Sequence, residues 1–208
     1  KWSSKELCPN VILAFSTGGR SREPSQRGGM LYLKPDMASL ATGSVNFPGM
    51  IYENPPRLID ELAGEMKAYG VKPEIEVFDA AMLYNAIKMS ESGAISSPIH
   101  VQFVLGIPGA MPVRRKLLEF LIDELATLAP GATWSAMGIG RNQFEVNKWS
   151  LELGGHARTG FEDNVKLNKD TLAANNAALV SLIADVAAEY DRHLASPDEA
   201  RAILGLAR

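Results

Sequence analysis

Cysteine is nearly absent from this 208-residue chain: Cys8 stands alone, so no disulfide can close within it and no cysteine cluster can hold a metal. Histidine is scarce as well. His100, His156 and His193 are the only three, and none lies near enough to another in sequence to make a local metal-binding pair. There is no excess of positive charge. The formal net charge is -3, with 21 Lys and Arg spread along the chain. That excludes the basic stripe with which a nucleic-acid-binding protein neutralises phosphates. No apolar run reaches the roughly 18 residues of a membrane-spanning helix. Lys1 to Asn10 is polar and lacks the apolar core of a signal peptide. A cytoplasmic protein, with no nucleic-acid or membrane partner, is the expectation. The opening residues do not read as the start of a domain. There is no initiator Met, and an apolar run begins at once at Val11.

What is present is alternation. Apolar runs of strand length occur at Val11–Phe15, Met37–Ala41, Glu74–Phe78, Val101–Leu105 and Thr133–Met137, with a weaker one at His156–Thr159. Between them, Arg57–Tyr69, Lys116–Leu128 and Leu172–Tyr190 repeat apolar residues at helical spacing. Ser196-Pro-Asp-Glu199 is a helix start, with Ser as N-cap, Pro at the first helical position and Glu closing a capping box. Pro35, Pro55, Pro73, Pro98 and Pro130 fall between elements. Six strand–helix units at spacings of roughly 25 to 35 residues predict a parallel α/β sheet. Polar or glycine-rich residues follow nearly every strand, which favours a (β/α)8 TIM barrel over an open sheet with one switch point. A barrel has eight units and about 250 residues. The expectation is a single incomplete TIM-barrel domain over residues 1–208, about strands 3 to 8 plus C-terminal helices. The missing part would be roughly the first two βα units, on the order of 60 residues upstream.

The densest polar cluster runs from Gly154 to Asn164. Arg158 falls near the end of the sixth strand, and Glu162 and Asp163 follow in the loop. A guanidinium beside a carboxylate fixes its orientation and lowers its pKa. Adjacent acids point in different directions, so one can bind a divalent metal while the other moves protons. The alternative is a solvated acidic turn. Ser16-Thr-Gly-Gly19 and Thr42-Gly-Ser-Val-Asn46 each follow a strand and can hold a carboxylate or phosphate oxygen, or can be plain turns. Glu76 shares a strand face with Glu74 and Phe78. An acid in mid-strand is costly to bury unpaired, so Glu76 either faces a polar barrel centre or forms a structural ion pair. His100 begins a strand and reads as structural, His156 as packing in an inner layer, and His193 as a surface residue.

The cluster Gly154-Gly-His-Ala-Arg-Thr-Gly-Phe-Glu-Asp-Asn164 resembles the GGH-x-R-x-G-x-E-D-N signature of the β-keto acid cleavage enzymes, whose founding member cleaves 3-keto-5-aminohexanoate. Ser16-Thr-Gly-Gly19, Lys34-Pro-Asp-Met-Ala-Ser-Leu40, Thr42-Gly-Ser-Val-Asn-Phe47, Tyr52-Glu-Asn-Pro-Pro56, Lys72-Pro-Glu-Ile-Glu-Val-Phe-Asp79, Phe103-Val-Leu-Gly106, Gly138-Ile-Gly-Arg141 and Ala200-Arg-Ala-Ile-Leu-Gly-Leu206 resemble further family stretches in family order. Departures at Ala80-Ala81, Ala157, Thr159, Phe161 and Gly28-Gly29 bear on substrate choice.

The resemblance implies a TIM barrel and a divalent metal, usually Zn2+, held by an HxH pair and by the Glu that matches Glu162. It implies Asp163 as general base with Arg158 as its partner. Ser16, Thr42 and Glu76 would contact substrate, and Gly18, Gly19, Ser44 and Asn46 would help hold a carboxylate. The reaction implied is an acyl exchange between a β-keto acid and the co-substrate acetyl-CoA, giving acetoacetate and a new acyl-CoA, with the metal polarising the keto carbonyl. The HxH pair belongs to a part of the family that would precede Lys1, so the whole protein would be the enzyme and this stretch alone inactive. A homo-oligomer is also implied. A metal-dependent barrel lyase or aldolase needing no CoA, and a truncated non-catalytic subunit, stand as alternatives.

Overall fold

The computed structural model describes residues 8, 10–19 and 26–206. Apart from Cys8 and Asn10, the polar opening discussed above lies outside them. In chain order the strands are β1 (Ala14–Phe15), β2 (Met37–Ala41), β3 (Val45–Phe47), β4 (Met50–Tyr52), β5 (Lys72–Val77), β6 (His100–Leu105), β7 (Thr133–Gly138) and β8 (His156–Ala157). The helices are α1 (Pro56–Tyr69), α2 (Ala80–Glu91), α3 (Arg115–Leu128), α4 (Gln143–Glu152), α5 (Asn176–Ala188) and α6 (Pro197–Leu204). Six strands make one sheet in the order β1-β2-β5-β6-β7-β8, every neighbouring pair parallel. β3 and β4 form a separate antiparallel hairpin.

The two faces of the sheet differ in chemistry, as the period-2 alternation of a strand requires. Ile75, Val77, Val101, Phe103 and Leu105 are completely buried and belong to the main core, together with Leu58, Leu62 and Met66 of α1 and Leu118, Leu121 and Leu125 of α3. Burial of one such side chain contributes about 1.5–3 kcal/mol. The other face is polar. Glu74 is in register with His100, and Glu76 with Gln102, which continues through Ser135 to His156.

The sheet is curled about this polar face. A flat sheet would put β1 and β8 roughly 24 Å apart, five strand spacings of about 4.8 Å. Instead Ser16, just after β1, and Arg158, just after β8, line one cleft. The His100 and His156 rings also approach to 6.3 Å, although β7 lies between their strands. The fold is thus α/β with a curled parallel sheet.

Several boundaries differ from expectation for physical reasons. β1 is only Ala14–Phe15, and Val11 is exposed, because among the described residues this strand pairs on one side only. Pro73 lies inside β5 rather than before it. Asp79 caps α2, accepting from Met82 N at 2.9 Å. The capping box at Ser196 forms as read. α4 had no signal: its buried stripe is Gln143, Val146, Asn147, Ser150 and Leu151, mostly polar.

At the opposite end of the sheet from the cleft, Asp36 joins distant parts of the chain. Its Oδ2 accepts from Leu13 N and its Oδ1 from Arg201 Nη1 on α6, both at 2.8 Å. The Asp36 and Arg201 side chains are each 14% exposed.

Candidate active site

A cleft of about 730 Å³ opens at the carboxyl ends of the strands. One wall is apolar. The β3–β4 hairpin brings Phe47 and Tyr52 into a parallel stack, centroids 5.4 Å apart, and Phe78 at the end of β5 meets both edge-on. Pro48, Met50, Ile107 and Met137 extend this wall. The facing wall carries Glu76, Arg158, Glu162 and Asp163.

Arg158 organises the charged wall. Its Nε donates to Asp163 Oδ2 at 3.0 Å and its Nη2 to Asp163 Oδ1 at 3.3 Å, a two-point grip that fixes the carboxylate plane. Nη2 also donates to Glu162 Oε2 at 3.1 Å, and Nη1 lies 3.8 Å from Glu76 Oε1. The neighbouring acids differ sharply in setting. The Asp163 side chain is 3% exposed and that of Glu162 is 79% exposed. Burial pushes the Asp163 carboxyl above its ordinary range, against the opposing pull of Arg158. The loop is pinned at two further points. Gly140 N donates to Asp163 O at 2.7 Å, and the Thr159 hydroxyl donates to Gln143 Oε1 on α4 at 2.7 Å.

Glu76 sits deeper. Burial, then the negative charge of Glu74, raises its pKa to about 7, with Arg158 opposing. Glu74 is raised too, by burial. A carboxyl near 7 in the fold and 4.5 when free keeps its proton longer in the folded chain. Its contribution to stability is therefore complete below about pH 4.5 and lost as pH rises through about 7. Glu76→Gln should melt a few degrees above wild type at pH 8, and the gap should close toward pH 5. Thermal melts across that range check this. A gap that does not change with pH would show that Glu76 ionises normally.

Of the residues singled out in the sequence, the structure brings Ser16, Gly18, Gly19, Glu76, Arg158, Glu162 and Asp163 to this cleft. Thr42, Ser44 and Asn46 are not among its lining residues. The Thr42 hydroxyl is buried and donates to Met82 O at 2.7 Å. The Ser44 hydroxyl accepts from Asn54 N at 2.8 Å. Asn46 is exposed, and its carbonyl packs against Gly109. The aromatic wall and the buried Arg27 behind it had no expectation. Phe47 and Tyr52 flank Pro48-Gly49, a turn signal that would have marked the hairpin.

Metal-binding capacity can be tested on the donor set. Among the described residues no group of three His, Cys, Asp or Glu side chains could hold an ion. His100 is buried with its Nδ1 2.8 Å from the Thr133 hydroxyl, and burial lowers its pKa to about 4. His100 and His156 lie deeper along the strands than the cleft, and His193 is exposed. Both Asp163 oxygens are held by Arg158. Glu162 alone offers an accessible carboxylate at the mouth, so these residues do not fit a metal by themselves.

Comparison with known proteins gives concordant results. The family model described as beta-keto acid cleavage enzyme matches residues 4–206. A 3-oxoadipate:acetyl-CoA acetyltransferase of Cupriavidus necator is 58% identical over 202 residues, covering 97% of this chain and 71% of that protein. A 3-keto-5-aminohexanoate cleavage enzyme of Acetoanaerobium sticklandii is 39% identical over 206 residues, covering 98% and 74%. Among solved structures, ObcA in its apo form superposes with a TM-score of 0.85 at 21% identity, over 97% of this chain. A ternary complex of ObcA with a C4-CoA adduct and oxalate gives 0.86. The chain spans about half the length of these ObcA chains, 52% and 54%.

Proposed function

Because the chain belongs to the beta-keto acid cleavage enzyme family, we propose that the protein exchanges acyl groups between a β-keto acid and acetyl-CoA, with Asp163 as the general base. The observation that carries the assignment is the buried Asp163 carboxylate, gripped at two points by Arg158 at the edge of the cleft. A carboxyl raised by burial is a stronger base than one in water, and the grip aims its remaining lone pairs.

In the proposed sequence, Asp163 removes a proton from the carbon between the keto and carboxylate groups. That carbon attacks the thioester carbonyl of acetyl-CoA and expels CoA thiolate. The thiolate adds to the original keto carbonyl, and the adjacent carbon–carbon bond breaks. Acetoacetate leaves after taking back the proton, and the substrate's acyl group remains on CoA. Ser16, Gly18 and Gly19 bind the substrate carboxylate in this reading, and Glu76 holds or yields a proton deeper in the cleft. The apolar wall suits the pantetheine arm or the keto-acid chain.

The proposal extends to the fold: the curled sheet belongs to a (β/α)8 barrel whose other two strands would close the gap between β1 and β8. It extends also to a divalent cation, zinc first, with Glu162 among its donors. The described residues supply no group of three such donors, so no step above is routed through it. A homo-oligomer and a cytoplasmic location complete the reading.

3-Oxoadipate is the first substrate to try, with acetyl-CoA labelled at the carbonyl carbon. The label should appear in the ketone carbon of acetoacetate, matched by one equivalent of succinyl-CoA. Acetoacetate formed without acetyl-CoA would instead indicate a lyase, and no turnover of any β-keto acid a non-catalytic subunit. Glu162→Gln should lower bound metal and turnover together, by elemental analysis and assay. Full metal content in that variant would remove Glu162 from the donor set.

A further inference from the structure

Arg27 presents a problem of charge. It is 6% exposed, and four acceptors surround its guanidinium. Nε donates to Thr17 O at 2.7 Å and Nη1 to Glu53 O at 2.8 Å. Nη2 donates to Tyr52 Oη at 3.1 Å and to Asn54 Oδ1 at 2.7 Å. The cation also packs on the Tyr52 ring, 5.2 Å from its centroid. All of these partners are uncharged. Arg27 takes part in none of the ion pairs among the described residues. Burying a cation with no carboxylate in direct contact is costly, and its field is poorly screened there.

That field has a direct path to the cleft. The Thr17 carbonyl points at Arg27. Across a trans peptide the Gly18 N–H must then point the opposite way. It donates to Ser16 Oγ at 3.1 Å. Having accepted that bond, the Ser16 hydroxyl keeps its proton for a ligand, and both Ser16 and Gly18 line the cleft. Guanidinium, peptide and hydroxyl thus form a chain of aligned dipoles, positive end toward the cleft, and such chains strengthen one another. The cleft wall needs this bias. It carries Glu76, Glu162 and Asp163, and among the described residues Arg158, already shared by all three, is its one basic side chain.

We propose that Arg27 is a positioning and specificity residue: its buried charge, with no carboxylate in direct contact, relayed through the Thr17–Gly18 peptide and Ser16, makes this end of the cleft select a carboxylate. The inference rests on the acyl-exchange reading for the identity of that carboxylate, the one on the β-keto acid. The guanidinium never touches substrate. Its field across about 8–10 Å at an effective dielectric constant near 20 corresponds to roughly tenfold or more in affinity.

The test uses two probes on one keto-acid skeleton, acetoacetate and its uncharged methyl ester. Dissociation constants are measured for wild type, Arg27→Gln and Arg27→Lys, with folding checked by circular dichroism and melting. Wild type should prefer the anion by roughly tenfold or more. Arg27→Gln should erase that preference by weakening acetoacetate selectively. Arg27→Lys should keep most of it even if its melting temperature falls. A folded Arg27→Gln that weakens both probes equally, or neither, overturns the proposal, because a purely structural arginine would act that way. If Arg27→Gln does not fold, Arg27→Lys decides: retained preference supports a charge effect, and lost preference overturns it. A wild type that binds both probes equally overturns the Arg27 proposal and leaves acyl exchange standing. One that binds neither overturns both.

Discussion

Asp163→Asn should lower turnover on the order of a thousandfold, the middle of the range for loss of a positioned general base. The two side chains have nearly the same shape, so the loop should survive the change. Gly140 N still meets the backbone carbonyl of residue 163, and Arg158 still has Glu162 and Glu76 for its charge. The KM for the β-keto acid should move little, because the Ser16–Gly19 turn, which holds the carboxylate in the proposed reading, lies on the other edge of the sheet. Steady-state kcat and KM measured separately make the check. Near-native turnover in this variant would remove Asp163 from the base role.

Arg158→Met should harm stability as well as turnover. It strands a carboxylate whose side chain is 3% exposed. Breaking a buried pair by deleting one partner costs about 3–5 kcal/mol. Arg158 is itself 26% exposed, so water softens the loss and the lower end applies. That is a fall in melting temperature of roughly 6–12 °C for a chain of this size. Activity should fall for a second reason. Burial raises the Asp163 carboxyl and Arg158 opposes it, so without the arginine the carboxyl climbs further. A larger share of the proposed base is then protonated at any given pH, and the rising limb of the rate profile moves to higher pH. The double variant Arg158→Met, Asp163→Asn should recover much of the lost stability and none of the turnover. If the single variant melts with wild type, the pair contributes nothing to the fold.

The legibility of the chain followed the strength of its periodic signals. β2 at Met37–Ala41 was readable to the residue, because a strand covered on both faces is a nearly continuous apolar run, interrupted here by Ser39 alone. The same rule misled at Val11, where an apolar run belongs to an edge. α4 stayed hidden because its inward stripe uses Gln143, Asn147 and Ser150 in place of leucine. In the site, Arg158, Glu162 and Asp163 were visible as a cluster within six residues. Their division of labour was not, since 3% against 79% exposure depends on how the loop folds back over β7. Thr42 shows the converse: a hydroxyl after a strand reads as a ligand group, yet here a helix carbonyl takes it. Arg27 was unreadable because nothing local distinguishes it from a surface arginine. Its partners at 17, 52, 53 and 54 converge only in three dimensions.

The carboxylate of Asp36 has a consequence for biosynthesis. It fastens Leu13 on one side and, on the other, Arg201, which follows Asp36 by 165 positions. At a ribosomal pace of about 5–20 residues per second, roughly 8–33 seconds separate the emergence of the two ends of that clasp. Through that interval β1 keeps its pairing with β2 but lacks the tie that α6 makes through Asp36. Newly made chains should therefore be cut more readily near Val11 before α6 arrives than after it.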